Sequence, residues 1–293
     1  MAFPSSANRW VNDELKRHSP NGPQTINEIK FLFAATSLFA CIPADATTVL
    51  VLGPDLQSNS AYSRTAITTG ADAVIFGNLL SGGAGTAQIQ IDAAQNAFRL
   101  MAATNFLPAT IAVDISLAAG VYSANSLTTA ASTTLTLDGG GLAKQFWVFN
   151  INDSFTMGAS SKTVLIGGAA NNSIIWNTGG FTSLGADSLL LGTLLSNSYI
   201  SIGANTSIFG NGASCGGAFS ALSSLFLVAN SVIGKSGCRG VDNGFRLNNR
   251  NEAVFIGSQN EPIPEPQTWV LFLIGVSVVG FAARRKQSIP SVC

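Results

Sequence analysis

The chain has 293 residues, a formal net charge of zero and 10% charged residues, whereas 46% of its residues are hydrophobic. This balance excludes intrinsic disorder, which needs low hydrophobicity and high net charge. It also argues against nucleic-acid binding, because the acids and bases cancel and no basic stripe occurs. The sequence therefore predicts a folded and nearly uncharged protein.

Residues 1–46 are predicted to be an upstream extension followed by a secretory signal. The apolar run 31–42 follows a lysine and precedes the small residues 44–46, an order typical of a signal that is cleaved after Ala46. Two alternatives stay open, a buried core helix and a lipoprotein signal that ends at Cys41. Export is the preferred interpretation.

Residues 47–262 form the predicted exported domain, and they carry an internal repeat. The stretch "ITTGADAVIFGN" from Ile67 agrees at seven of twelve positions with "ISIGANTSIFGN" from Ile200. Shorter copies start at Thr128, Thr156, Ser183 and Phe226. The copies from Thr128 onward start 18 to 28 residues apart. Repeats of that period indicate stacked units that bury their apolar sides on one another.

Local alternation of apolar and hydroxyl-bearing residues predicts that each copy is a β-strand. The hydroxyl-bearing side chains would face outward. The residues predicted to point inward are Ile67, Leu127, Phe155, Met157, Ile200 and Ile202. The fold class predicted from this pattern is mainly β, built as a solenoid of stacked strands.

One segment, about 86–107, predicts a long amphipathic helix laid along the solenoid. Ile91, Ala94 and Phe98 share one face at helical spacing. Thr86 is the predicted N-cap, and Pro108 is the predicted end. A strand at Ile89–Ile91 is a weaker alternative, because alternation stops there. The helix would interrupt the stack and separate the first repeat from the others.

Catalytic chemistry is not predicted. The single histidine, His18, lies upstream of the signal, so the exported domain lacks an imidazole base or metal ligand. Its acids are scattered, and no pair is favoured for glycoside hydrolysis, although a polysaccharide-cleaving β-helix stays an alternative. We therefore expect no catalytic residue, no metal and no cofactor.

Two cysteines, Cys215 and Cys238, remain in the exported domain, whereas Cys41 and Cys293 fall in the terminal segments. An even pair in an oxidising compartment predicts a disulfide bond between them. Two buried free thiols are the alternative.

The tail 263–293 has three parts, and it resembles the PEP-CTERM sorting signal. A short apolar span, 269–283, would cover roughly 22 Å as a helix and is short for a bilayer. The flanking motif residues are Pro264, Glu265 and Pro266 before the span, and Arg284 and Arg285 after it. The resemblance implies a Gram-negative bacterium, transient membrane contact, and removal of the tail by an exosortase. An ordinary membrane anchor is the alternative.

The exported domain resembles a known family of secreted ice-binding domains, which are irregular β-solenoids with a flanking helix. The matching phrases are "LAAGVYSANS", "LTLDGGGLAKQFWVFNI", "NNSIIWNTGG" and "LGTLLSNSYISIGANTSIFGN", and they cover roughly residues 66–240. The resemblance implies a right-handed parallel β-helix of triangular section.

Two lines of hydroxyl-bearing residues are candidates for an ice-binding face. Stacked strands repeat every ~4.7–4.9 Å, so one outward position per strand makes a regular column. The first line is Thr68, Thr128, Thr156, Ser183 and Ser201, and the second is Thr133, Ser161, Ser188 and Thr206. Outward polar residues are also expected on any exposed strand.

The predicted function is that of an exported antifreeze or recrystallisation-inhibiting protein that adsorbs to ice through an uncharged Thr/Ser face. Its expected partners are an ice surface and the processing exosortase, located outside the cell or at its surface. The alternative is a matrix or adhesion protein of the exopolysaccharide layer on the same scaffold.

Overall fold

A computed structural model describes residues 49–257 except residues 84, 169–170, 212–214, 237–240 and 242. Every described residue lies in one compact unit. The predicted secretory signal and the PEP-CTERM tail thus lie outside the described residues. Within the described part of the chain, no helix is long and apolar enough to cross a bilayer.

The described residues form three parallel sheets and one small antiparallel sheet. The first, which we call the threonine sheet, contains β3 (Ile67–Thr69), β7 (Thr110–Ile111), β10 (Leu127–Thr129), β13 (Phe155–Met157), β16 (Thr182–Leu184), β19 (Ile200–Ile202) and β22 (Leu225–Leu227). The second sheet contains β4 (Val74–Ile75), β8 (Ile115–Ala118), β11 (Thr134–Asp138), β14 (Lys162–Ile166), β17 (Leu189–Leu191), β20 (Ser207–Phe209) and β23 (Val232–Ile233).

The third sheet, which we call the helix-covered sheet, is the largest, and the antiparallel sheet is the smallest. The helix-covered sheet contains β2 (Asn59–Ser63), β5 (Asn78–Ser81), β6 (Asn105–Phe106), β9 (Gly120–Ala124), β12 (Phe146–Ile151), β15 (Ser173–Thr178), β18 (Thr193–Ser196) and β21 (Gly217–Ser220). The antiparallel sheet contains β1 (Val49–Leu50), β24 (Phe245–Leu247) and β25 (Ala253–Phe255).

Each full turn of the chain contributes one strand to each parallel sheet in a fixed order. For example, β10, β11 and β12 are followed by β13, β14 and β15, which pair with them in parallel. We call each such turn a rung. The coarse prediction of a mainly β protein built from stacked parallel strands is confirmed.

The position of the first rung differs from the prediction. The strand order of the threonine sheet is β3-β22-β19-β16-β13-β10-β7, so the first rung stacks on the last one rather than standing apart. Thr68 pairs with Phe226, and the chain then crosses to the opposite end of the stack before it winds back.

The interior of the solenoid is filled by the residues that alternation predicted to be inward. Leu127, Phe155, Ile200 and Ile202 are fully buried, and the edge residue Ile67 is half-buried against the same core. Aromatic rings reinforce the stacking: the ring centroids of Phe149 and Trp176 lie 4.0 Å apart and nearly parallel. Stacked rungs therefore place like side chains above one another.

The helix α2 (Thr86–Arg99) packs along the helix-covered sheet, and a short helix α1 (Pro54–Gln57) precedes it. Ile91, Ala94 and Phe98 are buried against that sheet, as their spacing predicted. Asn150 Nδ2 donates to the Phe98 carbonyl oxygen at 2.8 Å, which ties the end of α2 to β12.

Two details of the helix prediction are wrong. The helix ends at Arg99 instead of about residue 107, because Asn105–Phe106 pairs with β9 as the edge strand β6. Its N-cap is Gly85, which makes no side-chain capping bond. The hydroxyl of Thr86 instead donates to a carboxylate oxygen of Asp55 on α1.

Candidate functional site

The central line of the threonine sheet brings together all of the first predicted set. Register pairs join Thr110, Thr128, Thr156, Ser183, Ser201, Phe226 and Thr68 in that order. The three outermost threonines of this line are exposed, and the residues between them are half-buried apart from Phe226. One side chain per strand thus leaves the sheet at intervals of ~4.7–4.9 Å.

Thr110 is a member of this line that the sequence analysis missed. It pairs with Thr128 on the edge strand β7 and is exposed. The local sequence Thr110-Ile111-Ala112 repeats the hydroxyl–apolar–small order of the other copies. This pattern could have identified Thr110 from the sequence, but it lies two residues after Pro108, the predicted end of the helix.

Two further lines flank the central line, because alternation along each strand exposes every second residue. The first flanking line consists of the residues two positions before each central residue, namely Pro108, Ser126, Ser154, Phe181, Tyr199, Ser224 and Ala66. The last line consists of the residues two positions after each central residue, namely Ala112, Ala130, Gly158, Gly185, Gly203, Val228 and Gly70. None of these side chains is charged, and all of them are exposed or half-buried. We call the three lines together the threonine face.

Close contact between rungs explains the small residues of the last line. A Cβ atom added to Gly158 would lie 2.6 Å from the carbonyl carbon of Ala130 on the neighbouring rung. A Cβ added to Gly185 would lie 2.5 Å from the backbone nitrogen of Ala159. These positions require glycine because the backbones of adjacent rungs touch there.

Bulky side chains divide the threonine face into two parts. Phe226 is 42% exposed and lies between Ser201 and Thr68. The rings of Phe181 and Tyr199 stack at 5.0 Å on the flanking line of the same half. The part from β7 to β13 carries only small or hydroxyl-bearing residues and Pro108, and we call it the small-residue patch.

The prediction that the second line faces outward is wrong. The side chains of Thr133, Ser161, Ser188 and Thr206 are between 0% and 3% exposed. Between the two sheets the chain turns at a residue with positive φ, such as Ser160 at 59° and Asn205 at 54°. Each member of the second line lies five residues after a residue of the central line, so it occupies the opposite side of the chain and points into the corner.

The threonine face carries no charged side chain. Outside the threonine face, burial raises the pKa of the Asp92 carboxyl group on α2, and the Arg64 guanidinium partly offsets the rise. Within the described residues, no group of three or more His, Cys, Asp or Glu side chains could hold a metal ion. The threonine face can thus act by shape, hydroxyl groups and methyl groups rather than by charge.

Cys215 is buried and is part of a disulfide bond. Its predicted partner, Cys238, lies outside the described residues, so the pairing stays a prediction. The sorting-motif residues Pro264, Glu265, Pro266, Arg284 and Arg285 also lie outside them.

Three parallel sheets, a helix packed along one of them and an open, uncharged sheet face define a β-solenoid protein with one candidate adsorption surface. The family model described as Ice-binding-like matches residues 41–232, well over half of the chain. The chain belongs to this family, which confirms the resemblance of the exported domain. Residues 262–286 match the model of the PEP-CTERM protein-sorting motif, which confirms the resemblance of the tail.

A curated relative with similar sequence is ice-binding protein 1 of Shewanella frigidimarina (strain NCIMB 400). It is 32% identical over 110 residues, which are 37% of this chain and 12% of that protein. The match therefore spans about an eighth of the length of the relative.

Solved structures share the fold at low sequence identity. An ice-binding protein from the Antarctic ascomycete Antarctomyces psychrotrophicus is 22% identical with a TM-score of 0.53, and the match covers 66% of this chain and all of that one. A domain of Shewanella frigidimarina ice-binding protein 1 is 19% identical with a TM-score of 0.52, covering 63% of this chain and 97% of that one. These similarities establish the β-solenoid fold.

Proposed function

We propose that the protein adsorbs to ice through the threonine face and restrains the growth or recrystallisation of ice near the cell. The observation that carries this proposal is the register of the central line, which aligns six hydroxyl-bearing residues over seven parallel strands. Membership of the ice-binding-like family supports the same function.

The chemistry of the face suits water rather than a charged ligand. Threonine and serine offer hydroxyl groups at a regular spacing, and alanine and the threonine methyl groups exclude disordered water between them. A charged side chain would instead hold water in its own hydration pattern. A regular, uncharged array can therefore order water in an arrangement that merges with the crystal.

We further propose that the small-residue patch is the part that touches ice. Phe226 rises above its neighbours and would hold the adjoining rungs away from a flat lattice. Thr110, Thr128 and Thr156 lie towards the opposite end of the same sheet face from this ring, with small residues on both flanking lines. Ice contact by the half near Thr68 would be weaker.

Export and processing form part of the proposal. The PEP-CTERM match supports a location outside the cell or at the surface of a Gram-negative bacterium, with an exosortase as processing partner and transient membrane contact through the tail. We also propose that the coil is right-handed and triangular in section, since parallel crossovers are nearly always right-handed and each rung contributes to three sheets.

The purified protein should keep ice grains small in a recrystallisation assay and should show thermal hysteresis. Ice grains as coarse as those in buffer, from a protein whose circular dichroism shows a folded β structure, would reject the proposal.

A second candidate function, adhesion to a neutral polysaccharide of the extracellular layer, is favoured by one observation. Phe181, Tyr199 and Phe226 expose aromatic surface on one half of the threonine face. The C–H groups of a sugar ring can pack on such aromatic surface. Replacing Phe226 by Ala should then weaken retention on a neutral glucan column, whereas Thr128→Tyr should leave retention unchanged.

A further inference from the structure

We infer that the buried hydroxyl groups of Ser161 and Thr206 are positioning residues, which hold the corner edge of the threonine face in register from rung to rung. The inference rests on the proposed adsorption to ice. It assigns a role to two members of the second line, which cannot contact ice themselves because they are completely buried.

Each of these hydroxyls joins two neighbouring rungs by two hydrogen bonds. Ser161 Oγ donates to the carbonyl oxygen of Ala130 at 2.7 Å and accepts from the backbone N–H of Thr133 at 3.2 Å. Thr206 Oγ1 makes the same pair of bonds, to the Gly185 carbonyl oxygen at 2.6 Å and from the Ser188 N–H at 3.2 Å. The same contact thus recurs two rungs apart.

The acceptors are residues of the threonine face. Ala130 and Gly185 belong to its last line, where each strand leaves the sheet and the chain enters the positive-φ corner. Each of these partly buried carbonyls would lose a hydrogen bond without the hydroxyl, so the hydroxyl fixes the orientation of that peptide group. Ser188 Oγ adds a third bridge, to the Gly158 carbonyl oxygen at 3.0 Å.

A repeating lattice makes this positioning matter for adsorption. Hydroxyl groups of the central line must keep one spacing over several strands, and a preorganised surface loses less freedom on binding than one that must be ordered. If a corner relaxes, the strand end beside it tilts, and the face no longer meets the lattice on all rungs at once.

Ser231 supplies a matched control. It is completely buried like Ser161, and its Oγ donates to the Val228 carbonyl oxygen at 2.7 Å. That acceptor belongs to the same rung as Ser231 and lies beside Phe226, away from the small-residue patch. Removal of this hydroxyl costs a similar hydrogen bond without breaking a bridge between two rungs.

The test compares Ser161→Ala, Thr206→Val, Thr206→Ser and Ser231→Ala in the full chain. The measurements are the melting temperature, the recrystallisation-inhibition endpoint and amide hydrogen exchange. Ser161→Ala and Thr206→Val should remain folded, exchange faster at the corner amides and require severalfold more protein to inhibit recrystallisation. Thr206→Ser keeps the hydroxyl group and should retain the wild-type exchange rates and recrystallisation endpoint. Ser231→Ala should lower the melting temperature while keeping the endpoint.

Wild-type endpoints with unchanged exchange in Ser161→Ala and Thr206→Val would overturn the inference. An equal loss of ice activity in Ser231→Ala would overturn it as well, because the effect would then be general destabilisation. If the wild-type protein itself is inactive on ice, the proposed function fails. Hydrogen exchange then still decides whether these hydroxyls hold the corners.

Discussion

Thr128 and Thr156 are direct register partners on the adjacent parallel strands β10 and β13. Their side chains leave the sheet one strand spacing apart, near the middle of the small-residue patch. This pair is therefore the most sensitive point at which to test whether the face must approach a flat surface.

Thr156→Tyr should weaken adsorption to ice about tenfold or more, equivalent to a loss of about 1.4 kcal/mol of adsorption free energy, and should therefore reduce thermal hysteresis. The phenol ring would stand above the glycine and alanine residues beside it and hold the face away from ice. Thr136→Tyr is the matched control, because Thr136 is half-buried on the second sheet. Equal losses in both variants would contradict the assignment of the threonine sheet.

Phe226→Thr should increase ice activity, by about twofold if the active line extends from the small-residue patch to all seven strands. The replacement removes the only bulky side chain of the central line. Since Phe226 is 42% exposed, the free energy of unfolding should change by no more than about 0.5 kcal/mol. Phe226→Leu keeps an apolar side chain at this position and should give a smaller gain, and a loss of activity in Phe226→Thr would place ice contact at the aromatic half.

Gly158→Ala should lower the free energy of unfolding by about 1–3 kcal/mol, because the added methyl group meets backbone atoms that cannot move aside. The nearest of them are the carbonyl carbon and oxygen of Ala130 at 2.6 Å. Urea unfolding followed by circular dichroism measures the change. Ala131→Ser, an exposed change at the neighbouring corner, should stay within about 0.5 kcal/mol; equal effects would contradict the steric account.

Asp92→Asn should stabilise the protein at neutral pH. Because burial raises the pKa of Asp92 in the folded state, the folded protein binds this proton more tightly, and stability falls as pH rises from the ordinary aspartate pKa of about 3.9 to the raised value. Asparagine removes that penalty. Melting temperatures of the two proteins should converge below this interval and separate above it, and a parallel pH dependence would contradict the prediction.

Cys238→Ser should lower the free energy of unfolding by about 2–4 kcal/mol if Cys238 is the partner of Cys215. Cys41→Ser should have no effect on the folded domain and serves as the control. Non-reducing peptide mapping checks the pairing directly. A cross-linked peptide that contains Cys215 and a cysteine other than Cys238 would contradict it.

Much of the fold follows from local patterns in the sequence. Alternation identified the buried faces of Leu127, Phe155 and Ile200, because a half-buried strand repeats every two residues. The repeated copies of the segment that starts at Ile67 identified the stacking, since equivalent residues of a solenoid lie above one another. The face of α2 followed from helical spacing in the same way.

The misses have physical reasons as well. The second line was predicted outward because hydroxyl-bearing residues recur at one fixed distance from the corner. Each of them lies five residues after the central line, and alternation over an odd number of residues places it on the inner side of the chain. The helix was extended to Pro108 because the strand pairing of Asn105–Phe106 with β9 is a tertiary contact that local propensity does not encode. The stacking of the first rung on the last is likewise non-local.

The stacking of the first rung on the last one decides when folding can be completed. The strand at Ile67–Thr69 finds its neighbour only at Leu225–Leu227, so its backbone stays unpaired until nearly the whole domain has emerged from the ribosome or translocation channel. Contacts this distant along the chain slow folding. A chain truncated before Leu225 would consequently retain an unpaired early strand and be exposed to proteolysis and aggregation.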